Sequence, residues 1–224
     1  GIEDSAINGI FDWSMENPSF QIGGGNIWYR EGASGGETYL GSTAPLSGSQ
    51  VDSNIVALLY QVDSMILDVE YQLDGSTAGT YESRLTQSVT VSNTTGSALD
   101  VHLYQEWKYL FDDRTSNTLE VVSGNSLQYQ EGLMVGETVC SVDPTHFIAT
   151  TDNLIPELGD ANPTTFGDVS GPVGPGVLSA GFQWDFTLAV GETRTFNVEH
   201  HVFMIPEPST WALMLTASLL FGIN

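Results

Sequence analysis

Few residue types in this 224-residue chain can carry chemistry: four His and one Cys, with carboxylates scattered among them. His200 and His201 are adjacent in an alternating segment, so a strand sends their side chains to opposite faces and they cannot chelate one metal together. His200 follows Phe196 and Val198 in period two, which suggests an inward or edge position. His102 shares the polar parity of its segment with Glu106 and Lys108, and His146 follows Pro144-Thr145 at the start of another. None of these has metal-ligand spacing, so no metal site is expected from local sequence. Cys140 is single, which excludes an intramolecular disulfide and a thiolate cluster. With no base beside it in sequence, it reads as a small buried hydrophobe.

Asp112-Asp113 follow Phe111 in a turn, and Asp152, Asp160 and Asp168 are spread along a stretch rich in Pro and Gly. They lack calcium-loop spacing, so a solvated loop is the default and calcium at 152–168 the alternative. No Gly-x-Ser-x-Gly elbow, phosphate loop or dinucleotide fingerprint occurs, and no pair of acids is marked for glycoside hydrolysis. The expectation is a non-enzymatic protein with no catalytic residue, cofactor or metal. Trp107 and Trp184 fall on the apolar parity of their segments and read as core. Trp28 lies on the parity opposite to Ile27 and Tyr29 and is better placed to stack on a sugar.

The charge balance narrows the partners. Net charge is −23, and it arises from cation depletion: only Arg30, Arg84, Lys108, Arg114 and Arg194 offset 28 Asp and Glu. Such a surface cannot neutralise phosphates, so no nucleic-acid partner is expected. Anionic headgroups repel it too, and only an apolar segment could hold it at a membrane.

The elements that must position these residues are strands. Met65, Leu67, Val69, Tyr71 and Leu73 alternate with polar or exposed-parity residues, as do Leu99, Val101, Leu103, Trp107 and Tyr109, and again Phe182, Trp184, Phe186 and Leu188. Each reads as a half-buried antiparallel strand. Further strands are expected at 26–30, 55–62, 84–92, 118–123, 126–130, 133–141, 146–150 and 194–204. Gly23-Gly24-Gly25 reads as a flexible turn, and Asn93-Thr94-Thr95-Gly96-Ser97 as a hairpin connection. Val-Gly-Glu-Thr occurs at 135–138 and 190–193, read as recurring turn chemistry rather than an internal repeat. Residues 152–180 read as a long surface loop. With 41% hydrophobic residues the chain can build a core, and the expected fold is mainly β: an antiparallel sandwich or jelly roll over 1–204. The chain starts at Gly1 without Met, so a cleaved leader or residues upstream are expected.

The end of the chain differs in kind. Ile205–Thr210 carries two prolines, which stop the preceding strand. Trp211–Ile223 is then free of charge and rich in helix formers, with Trp211, Leu213, Met214, Leu215, Leu219, Leu220, Phe221 and Ile223 as membrane-anchor residues. As a helix it spans about 20 Å, short of the roughly 30 Å hydrocarbon core. Either the chain runs past Asn224 or the segment is not a complete span, with a terminal helix docked on the sandwich as the soluble alternative.

Pro206-Glu207-Pro208-Ser209-Thr210-Trp211-Ala212-Leu213-Met214 closely resembles the tail of bacterial PEP-CTERM proteins, the exosortase substrates. That pattern is a Pro-Glu-Pro signature, one hydrophobic helix and a basic end; no basic cluster precedes Asn224. Residues 88–99 and 182–192 resemble strand and turn segments of the β-sandwich ectodomains in that family. The resemblance implies a sorting motif at Pro206, Glu207 and Pro208, a 205–210 linker and a single-pass anchor at 211–224. It also implies a Gram-negative envelope location on the extracytoplasmic face. The functional expectation is a tethered structural or accessory protein packing on a membrane or envelope protein. The alternative is a sorted surface or matrix protein that binds exopolysaccharide.

Overall fold

The computed structural model describes residues 2–3, 12–16, 19–75, 82–111, 116–131 and 134–204. The sorting motif Pro206, Glu207 and Pro208 lies outside these residues. So do Asp112, Asp113 and the anchor residues Trp211, Leu213, Met214, Leu215, Leu219, Leu220, Phe221 and Ile223. The described residues are mainly strand, 63% against 4% helix, as the alternating pattern requires.

The strands are β1 (Ile2–Glu3), β2 (Asp12–Glu16), β3 (Ser19–Glu31), β4 (Thr38–Tyr39), β5 (Ser47–Asp52), β6 (Ile55–Val62), β7 (Met65–Gly75) and β8 (Glu82–Asn93). They continue with β9 (Leu99–Phe111), β10 (Thr118–Val122), β11 (Ser126–Glu131), β12 (Met134–Cys140), β13 (His146–Thr150), β14 (Leu178–Leu188) and β15 (Thr193–Met204). One turn of helix, α1, covers Ile155–Leu158. Among the described residues no helix is long and apolar enough to cross a membrane.

Two antiparallel sheets result. Sheet A runs β1-β2-β3-β9-β14-β13, with β4 beside β3; sheet B runs β10-β11-β12-β15-β8-β7-β6-β5. The alternating side chains meet between them. Leu67, Leu85, Val89, Val101, Leu103 and Val198 are fully buried, and Trp107, Trp184 and Phe186 join the same cluster. Each large apolar side chain buried there contributes roughly 1.5–3 kcal/mol, which favours this pairing of faces over any one-residue slip.

Three local expectations are corrected. Gly23 and Gly24 lie inside β3, which is longer than 26–30, and the register shifts between Gly24 and Asn26. Gly25 sits at that shift with φ +79°, and a Cβ there would meet the Trp107 ring at 2.7 Å, so the triplet makes a bulge and not a turn. The Asn93–Ser97 turn is not a hairpin: β8 belongs to sheet B and β9 to sheet A. Its Asx-type bond, Thr95 N–H to Asn93 Oδ1 at 2.8 Å, turns the chain. The Asn93 amide then reaches the carbonyls of Leu188 at 3.2 Å and Ala189 at 3.1 Å in the neighbouring crossover. Turn chemistry is local and does not specify which sheet the next strand joins. Val190–Thr193 forms the crossover from β14 into β15, with Glu192 Oε2 accepting from Ala189 N–H at 2.7 Å, whereas Val135–Thr138 is strand interior. The same four residues thus adopt two structures.

Candidate functional site

The outer face of sheet A gathers polar side chains. Register aligns Asn26 with Glu106, Trp28 with Tyr104 and Arg30 with His102 across β3 and β9. It aligns Glu106 with Gly181, Tyr104 with Gln183 and His102 with Asp185 across β9 and β14, and β13 adds His146 opposite Gln183. The layer is covered around Trp28 and Tyr104, while Asp185, His146 and Asp168 at its other end stay partly exposed. Residues 152–168 form a strap over it, burying Leu154, Leu158 and Phe166 against Trp28 and Tyr104. Phe166 stands edge-on to Tyr104 at 5.7 Å between centroids, and its N–H donates to Gln183 Oε1 at 2.9 Å. Gly181 makes room, since a Cβ there would lie 2.6 Å from the Phe166 ring.

Three polar centres lie in the layer. In the first, Arg30 Nε is 3.1 Å from Glu37 Oε1, with the side chains 5% and 0% exposed. Thr164 N–H donates to the same oxygen at 2.8 Å, and Arg30 also donates to the Gly32 carbonyl. The Tyr104 hydroxyl donates to the Thr164 carbonyl at 2.8 Å and accepts from Arg30 at 3.3 Å. Burial pushes the Tyr104 phenol well above its ordinary range, so it stays neutral. A buried charge needs this density of donors to be tolerated.

The second centre is Glu106, which is fully buried. Asn26 Nδ2 donates to its Oε2 at 2.6 Å, while among the described residues Oε1 has no hydrogen-bond partner, nor does the nearby Trp28 Nε1. Burial raises the Glu106 carboxyl, with the Asn26 bond and Lys108 opposing. Tyr39, half-buried, lies 5.1 Å from the Trp28 ring.

The third centre is a chain of imidazoles and carboxylates. His102 Nδ1 is 2.6 Å from Asp185 Oδ1, which also accepts from Gln183 Nε2 at 2.8 Å. His146 Nε2 is 3.8 Å from Asp185 Oδ2, and its Nδ1 is 3.1 Å from Asp168. Asp168 also accepts from Phe147 N–H at 3.2 Å. An imidazole oriented by a carboxylate is half of a nucleophile-activating arrangement. Asp168 links the end of the strap to β13 through His146 and the Phe147 N–H. Among the described residues no group of three or more His, Cys, Asp and Glu is arranged to hold a metal ion.

Sequence reasoning saw these residues singly. Trp28 does lie on the outer face, yet it is 7% exposed, a correction to its expected availability for stacking; the strap covers it. Glu106 is likewise buried on a parity that reads as wet. His200 faces inward: its ring is 3.8 Å from Trp107, its Nδ1 2.6 Å from Thr138 Oγ1, and burial pushes its pKa down to about 3. His201 faces outward, 2.7 Å from Glu82. Cys140 is buried, and burial pushes its thiol far up. Asp152 and Asp160 stay exposed, Asp160 accepting from Asn162 N–H at 2.6 Å. The missed residues are Arg30, Glu37, Tyr104, Thr164 and Gln183. Their only sequence signal is that Arg30 and Tyr104 sit on the outer parity of long strands.

No protein-family model and no curated protein matches the chain. Among solved structures it is similar to a polysaccharide lyase at 12% identity and a TM-score of 0.53, over 91% of this chain and 32% of that one. It also resembles the Slr1438 protein from Synechocystis sp. PCC 6803 at 9% identity and a TM-score of 0.47, over 87% of this chain and 73% of that one. The likeness to the lyase is one of fold, and the chain spans about a third of that protein's length.

Proposed function

We propose that this chain is a non-enzymatic, exported accessory protein. In this reading its C-terminal apolar segment holds it at a bacterial envelope membrane, where it packs on a membrane-complex partner. The carrying observation is where the sandwich ends. β15 is an interior strand of sheet B, hydrogen-bonded to β12 on one side and β8 on the other. Pro206-Glu207-Pro208 and the charge-free run Trp211–Ile223 follow it directly. A tether leaving from an interior strand loads two ladders along their length and does not peel an edge. The whole chain holds five Lys and Arg against 28 acids, so attachment falls to the apolar run. The pairing of Arg30, Glu37, Asp168 and Asp185 within the strap-covered layer supports a structural rather than catalytic role for those groups.

The test is membrane fractionation of the Leu215→Asp/Leu219→Asp variant. It should move to the soluble fraction with an unchanged β-sheet spectrum. Retention of that variant in membranes through high-salt washes would sink the tether.

A second reading, a sorted matrix protein that binds exopolysaccharide, is favoured by half-buried Tyr39 packed on Trp28 beside Glu106. Tyr39→Ala should then lose retention on an exopolysaccharide column while membrane attachment is unchanged.

A further inference from the structure

The edges of the two sheets are treated differently. An edge strand carries a row of unpaired N–H and C=O groups, and folded proteins seal or charge such rows. Residues 169–173 seal two edges at once. On sheet B, Leu119 and Val173 exchange backbone hydrogen bonds of 3.0 and 2.8 Å, and Val121 N–H donates to the Ser170 carbonyl at 2.7 Å, covering β10. On sheet A, Ala149 N–H donates to the Val169 carbonyl at 2.8 Å, covering β13. Among the described residues the other end of sheet B has no such cover. There β5 pairs with β6 alone, and all six of its residues are exposed, so both faces and one edge are open.

β5 also lacks cationic or proline protection along its ladder. Ser47-Gly48-Ser49-Gln50-Val51-Asp52 contains no Lys, Arg or Pro, and its one charge is at its end. A register shift between Gln50 and Asp52 confines the regular ladder to the uncharged part. Exposed apolar side chains cluster here: Leu46 at 64%, Val51 at 61% and, on β6, Val56 at 41%.

We propose that β5 pairs antiparallel with β5 of a second copy of this chain, joining two sheets B into one. Charge selects this occupant. A twofold axis near Ser49 places small uncharged residues opposite each other and sends the two Asp52 carboxylates to opposite ends of the pair. They are then roughly 20 Å apart, at about 3.4 Å per residue, well beyond the Debye length of about 8 Å at physiological salt. Elsewhere a surface of net charge −23 repels its own copy, so this uncharged, apolar-flanked edge is where two copies can meet. Antiparallel self-pairing is also closed by the twofold, so the interface ends at a dimer and does not grow into a fibre.

The test is sedimentation of the full chain in mild detergent, from micromolar to millimolar concentration, with three variants. Wild type should show a monomer–dimer equilibrium, and Ser49→Lys, which sets like charges opposite each other at the axis, should weaken it at least tenfold. Ser49→Cys should oxidise to a covalent dimer, whereas Ala98→Cys, exposed in a crossover, should not; buried Cys140 leaves the introduced thiol as the reactive one. A wild type that stays monomeric throughout overturns the proposal. So does a dimer indifferent to Ser49→Lys and uncrosslinked through position 49, which would place the contact elsewhere, such as the C-terminal run.

Discussion

The space between the sheets and the layer under the strap are both buried, yet they are built on opposite principles. Between the sheets, apolar side chains from two regular surfaces interdigitate, and polar atoms are exceptions such as His200 with Thr138. Under the strap, an irregular segment closes over charged and amide groups, and the apolar contribution is a handful of residues around Trp28, Tyr104 and Phe166. The first region is held by area removed from water and tolerates chemistry of similar shape. The second is held by hydrogen bonds and an ion pair that depend on one another, with Glu106 only partly satisfied. The difference predicts that the core sets global stability, whereas the strap opens as a local unit.

The largest effect should come from the core. Trp107→Ala is expected to lower unfolding free energy by about 3–5 kcal/mol in urea titration. Phe166→Ala should cost less globally and instead speed amide exchange within 154–168, leaving the sheet ladders protected. Equal exchange changes in both regions would erase the distinction between them.

The buried ion pair should come next. Glu37→Leu leaves Arg30 buried without its partner and is expected to cost about 3 kcal/mol or more. Arg30→Met/Glu37→Leu should recover most of that loss, because an apolar pair needs no satisfaction. If the double variant is as unstable as the single one, the pair is not what holds this corner.

At neutral pH the smallest differences are those that appear only on titration, and there the two regions should carry opposite signs. His200, held at about 3 by burial, stays neutral in the fold while the unfolded chain takes up a proton below its ordinary value. Its contribution is therefore intact at neutral pH and is lost as pH falls from about 6.5 toward 3, at up to about 1.4 kcal/mol per pH unit. Glu106 is raised by burial, so its ionisation opposes folding above the raised value, and protonation relieves this as pH falls. In urea titrations between pH 7 and 4, His200→Gln should flatten the acid-side loss, and Glu106→Gln should raise stability at pH 7 relative to wild type. The same sign of change for both variants would refute this assignment of charge states.

These contrasts follow how much of each region could be read in advance. Val101, Leu103, Trp107, Trp184 and Phe186 share one core, as their parity requires, because burial of one face repeats every second residue and is written in the local sequence. The same parity marks Trp28 and Glu106 as outward, and they are outward. The burial of Trp28 depends on residues 154–168, more than a hundred positions away in sequence, and no periodicity links a strand to a distant irregular segment. The Asn93–Ser97 turn shows the same limit, since its Asx chemistry is legible while the sheet it delivers the chain to is not.

The amino-acid sequence alone therefore determined most of the long strands, the face each turns to the core between the sheets, the net charge and the separate composition of residues 205–224. These properties depend on neighbours within one strand or on totals over the chain, which a linear text contains. Tertiary structure alone decided which strands share a sheet, that a strap covers the outer face of sheet A, and that His102, His146, Asp168 and Asp185 meet. It also decided which edge of sheet B stays open. Each of these is a contact between distant segments, chosen by the collective packing of two twisted sheets and not by any residue's own preference.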